Sequence, residues 1–111
     1  MKDGTYKVKI DSDGTPILDS PIVMSDGYWV ADDSGVSIHG EMDTRSVQDA
    51  LKLMDVKNGE IIGIWQNKEL SFIDRSYHFK TKNAAFEVGE AFKQIAIWDC
   101  ANSKALDIRY P

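Results

Sequence analysis

The sequence has very little cysteine and no long apolar run. Cys100 is the only cysteine among 111 residues, which excludes an intramolecular disulfide framework and suits a reducing, cytoplasmic compartment. No apolar stretch reaches the roughly 18 residues that a membrane span needs, so the sequence excludes a transmembrane protein. A lysine near the N-terminus has no apolar segment behind it, and we therefore expect no signal peptide.

Basic residues are missing from a long N-terminal stretch. None stands between Lys9 and Arg45, whereas eight Asp and Glu do, and the whole chain has a formal net charge of −5. This acidity argues against nucleic acid and anionic membranes as direct partners, because both repel negative charge. The length predicts a single domain over residues 1–111 with one modest core.

Alternation and turn dipeptides predict an antiparallel β-meander in the first forty residues. Tyr6, Val8 and Ile10 alternate with polar residues, which is the period of a half-buried strand. Asp-Gly pairs favour hairpin turns because they tolerate positive φ. Two prolines make the second strand short or place it at an edge, since proline cannot donate to a ladder. The turns are predicted at 13–14, 26–27 and 33–35, and the prolines are Pro16 and Pro21.

The middle of the chain changes to helical spacing and then back to strands. A helix is predicted with Asp43 or Thr44 as its N-cap and an end near Asp55. The continuous apolar run Ile61–Trp65 is typical of a strand that is covered on both faces. Leu70–Phe79 is predicted to form a hairpin with it.

A second helix and a last hairpin complete the predicted order. The helix follows Thr81 or Asn83, and Gly89 inside it either weakens the helix or marks a close contact. The last strand alternates Leu106, Ile108 and Tyr110. The order predicts an α+β fold: an N-terminal antiparallel β-meander, a helix, a β-hairpin, a second helix and a C-terminal β-hairpin. We expect a mostly antiparallel sheet with two helices on one face.

Acidic residues at the predicted turns suggest a surface for a partner. If the turns of the meander meet at one pole, their carboxylates create a field that steers a basic protein. The alternative is that each Asp serves its own turn, which Asp does well by bonding nearby backbone. The predicted partner-binding residues are Asp11, Asp13, Asp26, Tyr28, Trp29, Asp32, Asp33 and Glu41.

The sequence neighbours of the tryptophans predict different environments for them. Trp29 follows an Asp-Gly turn and is the best candidate for an exposed anchor, since aromatic residues are frequent interface hot spots. Trp65 lies in the most apolar strand and is expected in the core. The alternative places all three tryptophans in the core.

No catalytic or metal motif is complete. Asp11-Ser12-Asp13-Gly14 resembles the opening of a calcium loop but has only two acids before the glycine. His39, Glu41 and Asp43 share one strand face without a second His or Cys beside them, and Asp99 beside Cys100 raises the pKa expected for the thiol. We therefore predict no catalytic residue, no metal and no cofactor, and Cys100 is expected to be structural.

Three hypotheses for function remain open. The first is a non-catalytic binding protein whose acidic face contacts a basic protein partner. The second is a small ligand-binding domain or enzyme with a pocket between sheet and helices, lined by Trp65, Arg75, Tyr77 and His78. The third is a homodimer that pairs through edge strands.

Overall fold

The computed structural model describes residues 2–66 and 68–108, and these form eight strands and two helices. Their order confirms the predicted α+β fold. Tyr110, which the sequence places in the last strand, lies outside the described residues. The elements are β1 (Gly4–Ile10), β2 (Pro16–Pro21), β3 (Tyr28–Ala31), β4 (Val36–His39), α1 (Thr44–Leu53), β5 (Ile61–Trp65), β6 (Leu70–Phe79), α2 (Lys82–Ala91), β7 (Ala96–Asp99) and β8 (Lys104–Asp107).

The chain divides into two compact units. Unit 1 holds the residues up to Ile22 together with Ser34–Arg75, and unit 2 holds Val23–Asp33 together with the residues from Ser76 onwards. Strand β6 contributes its first part to unit 1 and its last part to unit 2. A single domain over 1–111 stays a prediction.

Unit 1 packs helix α1 against an antiparallel sheet. Strands β2, β1, β5 and β6 follow one another in the sheet, and β4 pairs with β6. Val47, Ala50 and Leu51 of the helix are buried, because their spacing places them on one helical face. They join Val8, Met42, Met54, Val56, Ile62, Ile64 and Ile73 in one apolar core.

Both ends of α1 are determined by short polar contacts. Asp43 is the N-cap, and it exchanges hydrogen bonds with Ser46 in a capping box. The helix ends at Leu53, two residues before the predicted end near Asp55, and Asp55 adopts a left-handed φ of 53° just beyond it. The Arg75 guanidinium donates to the carbonyl oxygen of Met54 at 2.6 Å, which satisfies one of the last helical acceptors.

Unit 2 packs helix α2 against strands β6, β3, β7 and β8. Val30, Ala85, Ile97 and Ile108 form its buried core. A Cβ on Gly89 would lie 2.9 Å from Ile108 Cδ1 and 3.2 Å from Ile97 Cγ2. Gly89 therefore marks a close contact between helix and sheet, which was one of the two readings of its sequence position.

The first four strands follow the predicted order, but β3 and β4 find their partners later in the chain. β1 and β2 form the first hairpin, whereas Ala31 pairs with Ser76 and Val36 pairs with Ile73. The predicted turn at 33–35 is therefore an interruption between two strands that pair with successive parts of β6. Strand β6 can pair with both β3 and β4 because it has ten residues and each of them has four.

Candidate protein-binding surface

The acidic residues of unit 1 do not meet at one pole. Asp11 Oδ1 accepts hydrogen bonds from the backbone N–H groups of Asp13 and Thr15, so this carboxylate stabilises its own turn. The turn follows the C-terminal end of β1, whereas Glu41 follows β4, which ends beside the N-terminal end of β6. The antiparallel register sets these two ends at opposite edges of the strands.

Unit 2 separates its acidic residues in the same way. Asp26 precedes β3, whereas Asp32 and Asp33 follow it. Asp26 and Asp33 are exposed, but Asp32 is buried and its Oδ2 accepts a 2.8 Å hydrogen bond from the Tyr77 hydroxyl. Within each unit, the predicted acidic residues are therefore divided between the two ends of the strands.

Trp29 is buried, so the expectation that it is an exposed anchor is wrong. Only 8% of its surface is accessible. Its cross-strand neighbours are His78 and Trp98, and the His78 ring lies edge-on at a centroid distance of 5.1 Å. Tyr28 is half-buried against the core of unit 2. Aromatic side chains on both adjacent strands cover Trp29, which its own local sequence does not reveal.

Trp65 is the exposed tryptophan of unit 1, which corrects its assignment to the core. It is 50% accessible and lies directly opposite Phe72, which is 37% accessible. Directly opposed residues point to the same sheet face, so the two rings form an aromatic pair on the surface. The core lies on the other face, where Ile62 and Ile64 are buried.

The continuous apolar run of β5 predicts a strand that is covered on both faces, but in the described part of unit 1 helix α1 covers one face. The apolar residues of β5 therefore point alternately to the core and to an accessible face. Ile62 and Ile64 face the core, while Ile61, Gly63 and Trp65 alternate with them on the other face. The two helices predicted from the sequence are too few to cover both faces of the predicted strands. That imbalance was the available signal for an exposed face.

Three exposed acidic residues gather beside this aromatic pair. The Gln66 backbone N–H donates to Asp3 Oδ1 at 2.9 Å, and Gln66 Oε1 accepts from the Met42 backbone N–H at 3.0 Å. Gly40 donates to the Glu69 carbonyl oxygen at 3.0 Å. These bonds bring Asp3, Glu41 and Glu69 to the strand ends next to Trp65, where Lys2 and Lys68 also lie.

We call Trp65, Phe72, Asp3, Glu41 and Glu69 the aromatic–acidic surface. Of these, only Glu41 was predicted to bind a partner. Trp65 was predicted only as a core and pocket residue. Phe72, Asp3 and Glu69 were missed because residues far apart in sequence meet here through strand pairing and the Gln66 side chain. The aromatic rings offer apolar area and π faces, and the carboxylates offer negative charge, so the surface can bind cationic side chains.

The four residues of the predicted pocket do not line one cavity within either unit. In unit 1, Arg75 lies opposite Ile62 on the core face, whereas Trp65 lies on the other face. Arg75 is held by Glu60 at 3.0 Å and by the Ser34 hydroxyl at 2.8 Å. In unit 2, the Tyr77 ring stacks on Phe92, and His78 contacts Trp29 from the opposite side of the sheet.

The remaining titratable candidates have structural contacts. The backbone N–H and then the side chain of Ser46 hold the pKa of Asp43 below its ordinary value, as expected for an N-cap carboxylate. Burial, followed by the charges of Asp99 and Asp26, raises the pKa of the Cys100 thiol. This supports a structural cysteine, because the thiolate is the reactive form. His39 and Glu41 are exposed, and residues 2–66 and 68–108 contain no group of three metal-ligating side chains.

Searches against protein-family models, curated proteins and solved structures find no match. Both described helices have ten residues, and neither is long and apolar enough to cross a membrane.

Proposed function

We propose that this protein is a non-catalytic binding protein that contacts a basic segment of a partner protein. The single observation that supports the proposal is the exposed pair of Trp65 and Phe72 on neighbouring strands. Tryptophan is strongly enriched among interface hot spots, and a half-exposed indole beside a second ring provides such an anchor. The proposal keeps the predicted partner and replaces Trp29 by Trp65.

Charge favours a basic partner over an acidic or neutral one. Asp3, Glu41 and Glu69 lie at the strand ends next to the anchor and outnumber Lys2 and Lys68 there, and the chain as a whole has a net charge of −5. Lysine or arginine side chains of the partner would pair with these carboxylates and lie over the indole face. Since the carboxylates are exposed, salt screens the attraction at distances beyond about 10 Å at 0.1 M.

The proposal is tested with synthetic peptides whose net charge runs from about −4 to about +4. We expect affinity to increase with positive charge and to decrease between low and high salt. Binding moves the Trp65 emission to shorter wavelength, because the half-exposed indole becomes buried. Trp65→Ala is expected to raise the Kd by at least about tenfold, in line with the loss of a hot-spot side chain.

Leu53→Ala is the matched control for this experiment. Leu53 is a large apolar residue of the same unit and is 78% exposed, but it lies at the end of α1 rather than on the aromatic face. Its substitution should leave the Kd within about twofold, which is less than the effect of a hot spot. Equal losses in the two variants, or affinity independent of peptide charge, would refute the proposal.

A further inference from the structure

The two edge strands of unit 1 differ in how they are protected from further pairing. Edge strands expose unpaired backbone groups and attract other strands, unless prolines, charges or bulges prevent it. β2 begins and ends with proline, has exposed Asp19 and pairs with β1 through an irregular register. β4 has the sequence Val-Ser-Ile-His, with no proline and no acidic or lysine side chain.

The outer edge of β4 exposes backbone groups of known register. Gly40 donates to the Glu69 carbonyl oxygen, and this pair continues the register in which Ile38 lies opposite Ser71. Hydrogen-bonded pairs alternate in an antiparallel ladder, so Val36 and Ile38 face β6. Ser37 and His39 therefore direct their N–H and carbonyl groups away from it. Both residues are exposed, and among the described strands β4 pairs with β6 alone.

From this edge we infer that β4 receives an extended basic segment by strand addition, an inference that rests on the proposed function and gives its mode of recognition. Ser37, Phe72 and Trp65 form one row on the exposed face, because Ser37 pairs with Phe72 and Phe72 pairs with Trp65. A strand added beside β4 extends this row. A long cationic side chain next to Ser37 then reaches across the small serine to the Phe72 ring.

Charge selects a basic segment over a second copy of the chain. Antiparallel self-pairing that sets Ser37 of one copy opposite His39 of the other, so that outward backbone groups meet, would place Glu41 opposite Gly35 at the start of β4. Asp74 packs directly against Gly35 at that start. Like charges placed opposite each other are destabilising, whereas lysine or arginine in the added strand would face carboxylates at both ends.

The experiment uses a capped octapeptide of alternating lysine and valine, with glutamate in place of lysine as the charge control. Ser37→Pro removes an outward N–H that β4 does not use to pair with β6, and proline is tolerated on edge strands. We expect this variant to raise the Kd by at least about tenfold, the effect of one lost backbone hydrogen bond and the added bulk of the ring. Ser37→Ala keeps the N–H and should stay within about twofold, since only a small side chain is lost.

A second measurement does not depend on how the variant folds. In an extended peptide, the odd-numbered and even-numbered backbone amides point to opposite edges. Two peptides are compared, one methylated at the odd amides and one at the even amides. Only the pattern that blocks the edge facing β4 should abolish binding. In the wild-type protein, bound peptide should slow hydrogen exchange at the Ser37 and His39 amides. Equal binding of both methylated peptides would refute strand addition.

The outcomes separate this inference from the proposed function. Binding that requires Trp65 but is unchanged in Ser37→Pro would refute strand addition and leave the proposed function supported. No binding of any basic peptide would refute both. Equal affinity for the glutamate peptide would refute the charge argument. A dimer in light scattering that Ser37→Pro converts into monomer would identify a second copy as the occupant and refute the basic segment.

Discussion

Units 1 and 2 each bury one helix against antiparallel strands, but they do so with different amounts of apolar side chain. Unit 1 buries ten residues in its core, and the largest fully buried side chains, Leu51, Ile62, Ile64 and Ile73, belong to it. Unit 2 buries four of its described residues in a core against which the partly buried Phe79, Phe86 and Phe92 pack, and it brings helix α2 close to the sheet through Gly89. The comparison shows two ways of stabilising a small α/β contact: filling it with side-chain volume, or closing the distance between backbones.

The exposed faces of the two units differ as well. In unit 2, Val30 points to the core. On the opposite face, Trp29 lies between its cross-strand neighbours His78 and Trp98 and is buried. On the corresponding face of unit 1, Trp65 and Phe72 are accessible. On this face, unit 2 thus buries Trp29 among aromatic neighbours, whereas unit 1 leaves Trp65 and Phe72 accessible.

The strongest test of the comparison is a cavity in unit 1. Leu51 is fully buried, and Leu51→Ala should lower the free energy of unfolding by about 2–5 kcal/mol, because the core cannot refill the lost volume. Leu53→Ala in the same helix is the control, since Leu53 is 78% exposed and should change the free energy by less than about 0.5 kcal/mol. Chemical denaturation measures both. Similar losses would show that side-chain volume does not stabilise unit 1.

The two Asp-Gly turns give a smaller, sharper contrast between the units. Gly14 in unit 1 and Gly27 in unit 2 have φ of 81° and 78°, so alanine costs about 1–2 kcal/mol at either position. A Cβ at Gly14 meets nothing within 4 Å, whereas at Gly27 it would collide with the His78 ring and lie 2.7 Å from the Phe79 carbonyl oxygen. Gly27→Ala should therefore cost about 1–3 kcal/mol more than Gly14→Ala. Equal midpoints of denaturation would contradict close packing at the unit 2 turn.

Local chemistry was enough to predict the elements of this fold. Asp43 or Thr44 indicates the start of α1, where Asp43 proves to be the N-cap. The Asp-Gly pairs indicate turns, and the alternation of Tyr6, Val8 and Ile10 indicates a strand. Each signal acts within a few residues, so no long-range information was needed. The partners of β3 and β4 could not be predicted in this way, because a strand pattern does not state which other strand it meets.

The candidate surface was harder to predict than the fold for the same reason. Trp29 and Trp65 both lie in short apolar strands, and only the coverage of each face decides which indole is exposed. Asp3, Glu41 and Glu69 meet through backbone pairing and the Gln66 side chain. Contacts between residues this distant in sequence are a property of the sheet register.

The smallest expected effect is the loss of stability at low pH that comes from one carboxylate in each unit. Hydrogen bonds from Ser46 lower the pKa of Asp43 in unit 1, and the Asn102 side chain is the main cause that lowers the pKa of Asp99 in unit 2. A lowered pKa in the folded protein means that the unfolded chain binds more protons. Stability is therefore present above the unfolded pKa of about 3.9 and is lost as pH falls through the folded value.

Asparagine at either position separates the two contributions. Asp43→Asn keeps a side-chain acceptor for the helix cap but no longer titrates, and Asp99→Asn does the same for the β7–β8 turn, where Asp99 Oδ1 accepts from the Ala101 backbone N–H at 3.1 Å. Each variant should lose less stability than the wild type between about pH 5 and pH 2, measured as the midpoint of thermal unfolding. Because the two sites lie in different units and share no partner, the double variant should show the sum of the two changes. A steeper acid slope in either variant would contradict the sign of the pKa shift at that carboxylate.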